Sequence, residues 1–461
     1  MMAKYFGTNG VRGKFDMLTP ELALELAKAI GTYFKRGRPE NPAKILVARD
    51  GRLTGECLKH AVISGLASVG CSVVDLDYAS APTAEFMLKE LGADGLIIIT
   101  ASHNPPEWNA LKVVDGKGAT ISHERGEQIE KLIGKTGNAK WNEVKRSEGY
   151  IHSTTEHVNA IKRFLDKDKI RKRKPKLVLD CGNGMAALIA PRLFKELGCL
   201  VVLLNEEIDG RFPGRPSEPT EANVSVLKKA VQKEKADAGI AWDGDGDRVI
   251  FVDENGAFVV GDKVFALSVL LKLGEENGAV VTTVATSKAA EDIARENKAR
   301  VVYTKIGAPY LSEKMLEISG LIGGEEVGGV IWPEISLAKD GFFTAAKIVE
   351  ALSEKKLSEW IAELPKYFNE KTKIECNDEQ KKRIIDGMKK YADNAKTRDP
   401  GLKTNSIDGI RIDFEDASWV IVRASGTEAY VRIFAEAKTL EKAKELVSEY
   451  KKIAEGFRGT D

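Results

Sequence analysis

The stretch Leu96-Ile97-Ile98-Ile99-Thr100-Ala101-Ser102-His103-Asn104-Pro105 decides how the first part of this chain folds. Its apolar half predicts a short buried strand, and Asn104-Pro105 predicts a turn directly after it. Open α/β sheets bind their ligands at the carboxyl edge of their strands. Ser102 is therefore a candidate nucleophile, and a plain turn without chemistry is the alternative.

Strand and helix signals alternate around this stretch. Residues 45–48 and 73–76 are strand candidates, and a helix signal begins at Thr19-Pro20, with apolar residues at helical spacing. A second helix signal follows the first of these strands and ends at Gly70. The resulting β-α-β-α-β order predicts a doubly wound parallel sheet.

The same order restarts twice along the chain, near residues 177 and 261. From about residue 371 grouped strands precede a helix, which is typical of an α+β domain. The predicted fold is therefore three consecutive α/β domains with mixed, mostly parallel sheets, plus a C-terminal α+β domain. The expected boundaries are 1–150, 151–255, 256–368 and 369–461.

Composition limits the classes of function. The chain has 461 residues, 43% of them hydrophobic and 30% charged, which is typical of soluble globular proteins. A net charge of +1 gives no reason to expect nucleic acid or an anionic membrane as partner. No signal peptide or membrane-spanning run is evident, so we expect a cytoplasmic protein. Five scattered cysteines without a C-x-x-C pair predict neither disulfides nor a zinc site.

The strongest chemical signal is Asp243-Gly244-Asp245-Gly246-Asp247. Glycines between the acids let the backbone turn three carboxylates toward one point, where a hard divalent cation such as Mg²⁺ or Ca²⁺ relieves their repulsion. An acidic surface turn is the plain alternative. An EF-hand loop is a closer rival, since Glu254 has the spacing of its last ligand, but Arg248 replaces the glycine that such a loop needs. Arg248 is better placed for substrate or phosphate.

Three further loops carry weaker signals. Arg423-Ala424-Ser425-Gly426-Thr427-Glu428 offers a guanidinium, hydroxyls and close backbone approach, as a phosphate requires, and Arg432 can add a contact. The glycine-rich loop at residues 6–13 carries Arg12, which can also bind phosphate. Glu325, in the glycine loop at residues 323–329, can accept sugar hydroxyls. A hairpin or surface turn is the alternative for each loop.

Taken in order, these motifs resemble those of the α-D-phosphohexomutases, the phosphoglucomutase and phosphomannomutase superfamily, over nearly the whole chain. The resemblance implies that Ser102 is a phosphoserine and that Mg²⁺ is held by its phosphate with Asp243, Asp245 and Asp247. It implies a mutase that interconverts hexose 1-phosphate and hexose 6-phosphate of glucose or mannose. A bisphosphorylated sugar is then the intermediate, and sugar 1,6-bisphosphate is the activator.

The resemblance also implies roles for other residues. Arg12 and Lys112 would neutralise the transferring phosphoryl group, and His103 and Lys112 are the nearest candidates for proton transfer. The implied substrate-binding residues are Arg248, Gly307, Glu325, Val327, Arg423, Ser425, Gly426, Thr427 and Arg432. The implied partner is a small sugar phosphate, and a homo-oligomer is left open.

The chain departs from the family pattern at several positions. Ala110 follows Asn109 where many members have glycine, and Ala424 and Ala429 replace the usual prolines. Val327 stands where a serine or asparagine would touch the sugar, and Gly329 where many bacterial members have histidine. These changes leave the sugar open, so that a phosphoglucosamine mutase or a phosphopentomutase is an alternative. A metal-dependent sugar phosphatase and a non-catalytic sugar-phosphate-binding protein are the alternatives from other classes.

Overall fold

The structure is a computed structural model that describes residues 5–7, 10–36, 42–425 and 429–459. Within these residues the strands form four sheets that follow one another along the chain. The first three carry helices between their strands, and the fourth is antiparallel with helices grouped beside it. The predicted fold class is confirmed. No helix in the described ranges is long and apolar enough to cross a membrane.

The first sheet has the strand order β1-β2-β6-β5-β3-β4-β7. Its elements are β1 (Phe6–Gly7), β2 (Gly10–Lys14), α1 (Pro20–Lys35), β3 (Lys44–Arg49), α2 (Gly55–Ser68), β4 (Ser72–Tyr78), α3 (Ala81–Glu90), β5 (Gly95–Ile99), β6 (Trp108–Asp115), α4 (His123–Glu130) and β7 (Ser147–Gly149). Strands β5, β3, β4 and β7 are parallel, whereas β6, β2 and β1 add antiparallel pairs. The sheet is therefore mixed, as predicted, and the three strands predicted by the β-α-β-α-β order are its parallel neighbours.

Two local features of this sheet differ from expectation. The glycine-rich loop at residues 6–13 is in fact the antiparallel hairpin β1–β2, whose Thr8 and Asn9 lie outside the described residues. Strand β5 turns back directly into antiparallel β6, so the Ser102 loop joins two paired strands. Helix α1 begins as predicted, with the Leu22 amide donating to Thr19 Oγ1 at 3.3 Å.

The second and third sheets are also mixed. The second contains α5 (Ser153–Arg163), α6 (Lys167–Arg173), β8 (Lys176–Asp180), α7 (Ala186–Glu196), β9 (Leu200–Leu204), α8 (Ser225–Glu234), β10 (Ala238–Trp242), β11 (Val249–Asp253) and β12 (Phe258–Val259). The third contains α9 (Gly261–Glu275), β13 (Val280–Thr283), α10 (Lys288–Glu296), β14 (Val301–Thr304), α11 (Ala308–Ile318), β15 (Ile322–Gly324), β16 (Val330–Ile331), α12 (Gly341–Ala351) and α13 (Leu357–Glu363). In both, parallel pairs adjoin an antiparallel hairpin, β10–β11 or β15–β16.

The fourth sheet has the order β17-β21-β20-β19-β18 and is antiparallel throughout its described pairs. It comprises β17 (Phe368–Glu375), α14 (Asp378–Arg398), β18 (Lys403–Asn405), β19 (Ile410–Asp413), β20 (Trp419–Ala424), β21 (Tyr430–Ala437) and α15 (Leu440–Gly456). Strand β19 begins at Ile410, directly after Gly409 turns the chain with a φ of +81°.

One hydrophobic core runs continuously through the first three sheets, from Leu46 to Leu364. The fourth sheet has a core of its own, built around Ile433 and Ile384. A buried polar chain also joins the first three units: Thr83 Oγ1 lies 3.0 Å from His157 Nδ1, and His157 Nε2 lies 2.9 Å from Asp340 Oδ2. The loops at the strand ends of these units are thereby held in fixed relation to one another.

Candidate active site

Each of the four predicted loops connects two consecutive strands that pair antiparallel. The serine loop joins β5 to β6, the metal loop β10 to β11, the sugar loop β15 to β16, and the phosphate loop β20 to β21. In the serine, metal and sugar loops, both ends belong to one hydrogen-bonded ladder, which restricts the positions of the side chains between them.

Ser102 lies in the serine loop with a left-handed backbone, at a φ of +49°. Its amide donates to Thr100 Oγ1 at 3.0 Å, and its hydroxyl donates to Asp243 Oδ2 at 2.7 Å. The residue is only 8% exposed. The predicted nucleophile from the first unit therefore meets the predicted metal loop from the second.

The metal loop brings its three carboxylates together. Asp243, Asp245 and Asp247 are all buried, and they present oxygens that lie within 4.8 Å of one another. Burial, together with the charge of Asp247, raises the pKa of Asp243; burial, with the charges of Asp243 and Asp247, raises the pKa of Asp245 well above its usual value. These acids resist ionising side by side without a cation.

Buried oxygens without a partner test whether a metal fits this site. Asp245 Oδ1 and Asp247 Oδ1 are buried and accept no hydrogen bond from the described residues. Hard carboxylate oxygens are the ligands that Mg²⁺ prefers, so the trio fits such an ion. The EF-hand alternative does not fit, since Glu254 instead accepts hydrogen bonds from the amide and hydroxyl of Ser358.

Three predicted cations surround this centre. Arg12 donates to Asn104 Oδ1 at 2.5 Å, at the end of the serine loop. Arg248 donates through Nη1 to both carboxylate oxygens of Glu218, at 2.9 and 3.0 Å, and its amide donates to Asp243 Oδ1 at 3.1 Å. The site therefore has fixed positive charge next to the serine and the carboxylates.

Lys112, the third cation, is buried and donates to Glu85 Oε1 at 2.6 Å. Burial alone would lower the pKa of Lys112, but the charges of Glu85, Asp247 and Asp245 outweigh it and raise the pKa above its usual value. Lys112 is thus a permanent cation at neutral pH, which can neutralise charge or donate a proton but is a poor proton acceptor.

His103 differs from Lys112 in that its pKa is lowered. Its Nδ1 lies 3.4 Å from Ser102 Oγ and 3.7 Å from Glu218 Oε2. Burial, aided by the charges of Arg248 and Arg12, lowers the pKa of His103 to about 2. The imidazole is therefore neutral at physiological pH.

In the sugar loop, Glu325 is buried and accepts a hydrogen bond from Lys339 Nζ at 2.7 Å. The same ammonium lies 3.3 Å from Asp247 Oδ2, so it joins the sugar loop to the metal loop. Burial would raise the pKa of Asp247, but Lys339, Lys112 and Arg248 outweigh it and lower the pKa to about 2. Val327 is half-buried in this loop.

The position of Gly329 has a structural reason. A Cβ atom there would lie 2.4 Å from Lys339 Cδ, so the lysine stem occupies the space that a side chain at position 329 needs. The departure from the family pattern at Gly329 is thus coupled to the presence of Lys339. This steric relation explains why a larger residue at position 329 is incompatible with the observed lysine conformation.

The phosphate-loop residues form a second group around Asp408. Arg423 Nε donates to Asp408 Oδ2 at 2.7 Å, and the same oxygen accepts the amide of Ile306 at 3.0 Å, next to Gly307. Ser425 and Arg432 are tied to Tyr430, through its carbonyl and its hydroxyl respectively. Gly426 and Thr427 lie outside the described residues.

Several residues of the site were missed by the sequence motifs. Lys339, Glu218, Glu85 and Arg52 all contact predicted site residues in the structure. None belongs to a glycine-rich or acidic motif. Only Arg52 carried a usable signal, because it follows a predicted strand in a polar loop with Asp50.

Three α/β units and an α+β domain, with a buried serine and a carboxylate trio where the first two units meet, define a protein of the α-D-phosphohexomutase superfamily. Comparison with known families agrees over nearly the whole chain. Phosphoglucomutase/phosphomannomutase domains I, II and III match residues 3–140, 155–256 and 260–368, and the C-terminal domain matches residues 354–453. The chain belongs to the phosphoglucomutase/phosphomannomutase family, and it is an enzyme, a mutase of the intramolecular phosphotransferase type.

Similar proteins are found among curated sequences and among solved structures. A phosphoglucomutase/phosphomannomutase of Thermococcus kodakarensis is 46% identical over 452 residues, covering 96% of this chain and 97% of its own. A probable phosphoglucosamine mutase of Methanosarcina acetivorans is 37% identical over 453 residues, covering 98% of both. Among solved structures, a phosphoglucomutase/phosphomannomutase family protein of Burkholderia thailandensis superposes with a TM-score of 0.84 at 26% identity, covering 97% of each chain.

Proposed function

We propose that this protein interconverts hexose 1-phosphate and hexose 6-phosphate, with glucose and mannose phosphates as its first substrates, through a phosphoserine at Ser102. The observation that carries the proposal is the 2.7 Å hydrogen bond from Ser102 Oγ to Asp243 Oδ2 inside the buried carboxylate trio. Phosphoryl transfer depends on positioning and charge neutralisation, and both are available at this oxygen.

The proposed reaction has two transfers. The phosphoryl group leaves Ser102 Oγ for a free hydroxyl of the sugar phosphate: the sugar O–P bond forms, the serine O–P bond breaks, and the hydroxyl proton ends on Ser102 Oγ. The resulting sugar 1,6-bisphosphate turns round in the site, and its other phosphoryl group passes to Ser102. Traces of the same bisphosphate act as activator, because they phosphorylate a serine that has lost its group.

The side chains around this serine have separate proposed roles. Asp243, Asp245 and Asp247, with the phosphate of Ser102, would hold one Mg²⁺, which when bound supplies positive charge beside the transferring phosphoryl oxygens. Arg12 and Lys112 add permanent positive charge. Neutral His103, 3.4 Å from Ser102 Oγ, is the nearest candidate to accept a proton from the reacting oxygen, although its low pKa makes it a weak base.

The second group of residues, around Asp408, would bind the end of the substrate that lies away from Ser102. Arg423, Ser425 and Arg432, with Gly307 and with Gly426 and Thr427, would hold whichever phosphate is not reacting. Glu325 and Val327 would contact the sugar between the two phosphates, and Arg248 would contact substrate beside the metal loop. The 2.7 Å bond from Lys339 supports a fixed orientation for the Glu325 carboxylate.

The choice of sugar rests on two observations that point in different directions. The relative at 46% identity is named for glucose and mannose phosphates, which supports the leading proposal. Several relatives at 37–38% identity are named probable phosphoglucosamine mutases, and an apolar Val327 offers no hydrogen bond to a sugar hydroxyl. Phosphoglucosamine mutase is therefore the second candidate, and phosphopentomutase is a more distant one.

A coupled mutase assay with Mg²⁺ and catalytic sugar 1,6-bisphosphate tests the proposal on glucose, mannose, glucosamine and ribose 1-phosphates. We expect the first two to turn over best, and Ser102→Ala to abolish turnover of all four while the protein stays folded. Turnover restricted to glucosamine or ribose phosphate would replace the proposed sugar. An active Ser102→Ala variant would contradict the phosphoserine itself.

Two further outcomes of this assay distinguish the other classes. Release of inorganic phosphate in step with loss of sugar phosphate would indicate a phosphatase, in which water takes the phosphoryl group. Binding of sugar phosphate without turnover, and without phosphate on Ser102, would indicate a binding protein.

A further inference from the structure

Arg52 lies in the loop between β3 and α2, and its side chain is fully buried. Its guanidinium uses all five N–H donors. Nε donates to Asp50 Oδ2 at 3.0 Å. The remaining four donors meet backbone carbonyls of the serine loop: Ser102 at 2.9 Å, Asn104 at 2.7 Å, Pro105 at 2.5 Å and Trp108 at 3.0 Å.

These bonds fix the part of the loop that the sheet cannot hold. The ladder between β5 and β6 ends at the pair Ile99 and Leu111, and the segment that joins the two strands contains the left-handed Ser102. A left-handed backbone is unfavourable for a residue with a side chain and persists only where its surroundings hold it. Arg52 binds the carbonyl of Ser102 itself and those of Asn104, Pro105 and Trp108, so it contributes more hydrogen bonds to this segment than any other side chain among the described residues.

The anchor of Arg52 is itself shared with the reacting residues. Asp50 Oδ2 accepts a hydrogen bond from Thr100 Oγ1 at 2.7 Å, and Thr100 Oγ1 in turn accepts the amide of Ser102. The ring of Phe212, from the second unit, lies 5.1 Å from the guanidinium. Ser217 Oγ, also from the second unit, donates to the Ser102 carbonyl at 2.9 Å. Arg52 therefore sits where the serine loop meets the unit that carries the metal loop.

We propose that Arg52 is a positioning residue that holds the Ser102 hydroxyl in its reactive orientation and so controls phosphoryl transfer to and from Ser102, without touching substrate. The inference rests on the proposed phosphoserine. The relevant step transfers a phosphoryl group from sugar 1,6-bisphosphate to Ser102. The Oγ–P bond forms, the sugar O–P bond breaks, and the proton of the serine hydroxyl ends on the sugar oxygen.

Arg52→Lys is the informative variant. Lysine keeps the charge but has three donors on one nitrogen, so it cannot bridge carbonyls that span residues 102–108. Arg49→Lys is the matched control, since Arg49 is a buried arginine of the same unit whose guanidinium binds Asp77 and lies over Tyr78 instead. Neither side chain is assigned a contact with substrate.

The experiment follows phosphorylation of the dephosphorylated protein by glucose 1,6-bisphosphate with intact-protein mass spectrometry, beside steady-state kinetics and thermal unfolding. We expect Arg52→Lys to slow phosphorylation and kcat by about 100-fold with little change in KM, as for a misplaced reacting group. Amide hydrogen exchange in residues 100–108 should accelerate in this variant. Arg49→Lys should phosphorylate at the wild-type rate.

The outcomes separate the inference from the function on which it rests. Wild-type phosphorylation kinetics in a folded Arg52→Lys protein, or an equal loss in Arg49→Lys, would overturn the positioning role. A wild-type protein that never takes up phosphate would overturn the phosphoserine instead, and with it any role of Arg52 in transfer. If Arg52→Lys does not fold, Asp50→Asn decides, because it keeps the guanidinium but weakens its anchor; about tenfold slower phosphorylation supports the role, and an unchanged rate contradicts it.

Discussion

At the scale of single residues, the candidate active site is a cluster of buried carboxylates, whose ionisation is opposed by burial and only partly favoured by neighbouring cations. Asp247 is relieved by Lys339, Lys112 and Arg248, so its pKa is low despite burial. Asp243 and Asp245 are not relieved to the same extent, and their pKa values are raised. Metal binding is therefore coupled to the protonation, and hence to the stability, of the folded protein.

This coupling predicts how stability depends on pH without metal. Because Asp243 and Asp245 have a higher pKa in the folded than in the unfolded protein, the folded state binds more protons. Their contribution is then fully present below the ordinary Asp pKa of about 4 and is lost as pH rises through the raised values. We expect the melting temperature in EDTA to fall over this range relative to that in Mg²⁺. Thermal unfolding between pH 4 and 8, with and without Mg²⁺, measures the difference.

Two variants test the source of this difference. Asp245→Asn should reduce the separation of the two melting curves, because it removes one of the two perturbed acids. Asp378→Asn, whose side chain is 96% exposed, should leave the separation unchanged. Melting temperatures that run parallel with pH in EDTA and in Mg²⁺ would contradict the coupling.

At the scale of secondary-structure elements, the site is built from tight antiparallel connections. The metal loop between β10 and β11 packs directly against the serine loop, and glycine is required at the closest approach. A Cβ atom on Gly244 would lie 2.7 Å from the Ser102 carbonyl oxygen and 2.6 Å from Ser217 Oγ. The contact with the carbonyl oxygen cannot be relieved without moving one of the two loops, because that oxygen belongs to the backbone.

Gly244→Ala is therefore expected to lower kcat by about 100-fold, since a displacement of about 1 Å between reacting groups has that effect. Gly274→Ala is the matched control, because its Cβ meets nothing within 4 Å at the end of helix α9. Alanine in a helix is favoured over glycine by about 1 kcal/mol, so this variant should be fully active and no less stable. Steady-state kinetics and thermal unfolding of both proteins provide the comparison, and a fully active Gly244→Ala would show that the loops tolerate separation.

At the scale of the whole molecule, the chain has a large shared core and a smaller separate one. The first three units share one hydrophobic cluster, whereas the C-terminal domain has its own. The two parts meet through both polar and apolar contacts: Glu436 accepts the Lys288 amide at 2.8 Å, Arg411 donates to the Val284 carbonyl at 2.7 Å, and Val284 packs in a small cluster with Trp419 and Ile421. Units with separate cores unfold as separate cooperative blocks.

We therefore expect two unfolding steps rather than one. The C-terminal block, from β17 to α15, should exchange its amide hydrogens in a separate transition, while the three α/β units open together because they share a core. Hydrogen exchange with mass spectrometry across a urea series resolves the two. A single transition common to peptides of all four units would contradict this division, and separate opening of the first and second units would contradict the shared core.

The sequence by itself determined the class of fold, the four loops and the family. These features depend on local order along the chain: apolar runs followed by glycine, serine or aspartate show where strands end and which side chains stand there. Ser102 and the Asp243 to Asp247 trio were found this way, and the structure places them in contact. Which strands of the three α/β units pair antiparallel was not predicted, since an apolar run has the same sequence pattern whether its neighbour is parallel or antiparallel.

Only the tertiary structure decided which distant residues complete the site. Lys339 reaches Glu325 and Asp247, and Glu218 pairs with Arg248, across long separations in sequence. Arg52 meets the carbonyls of a loop about 50 residues further along. Such contacts depend on which strands become neighbours and on which backbone carbonyls turn inward. The local sequence pattern predicts neither. The chemistry of the site is thus local in sequence, whereas its orientation and charge balance arise only when the units pack together.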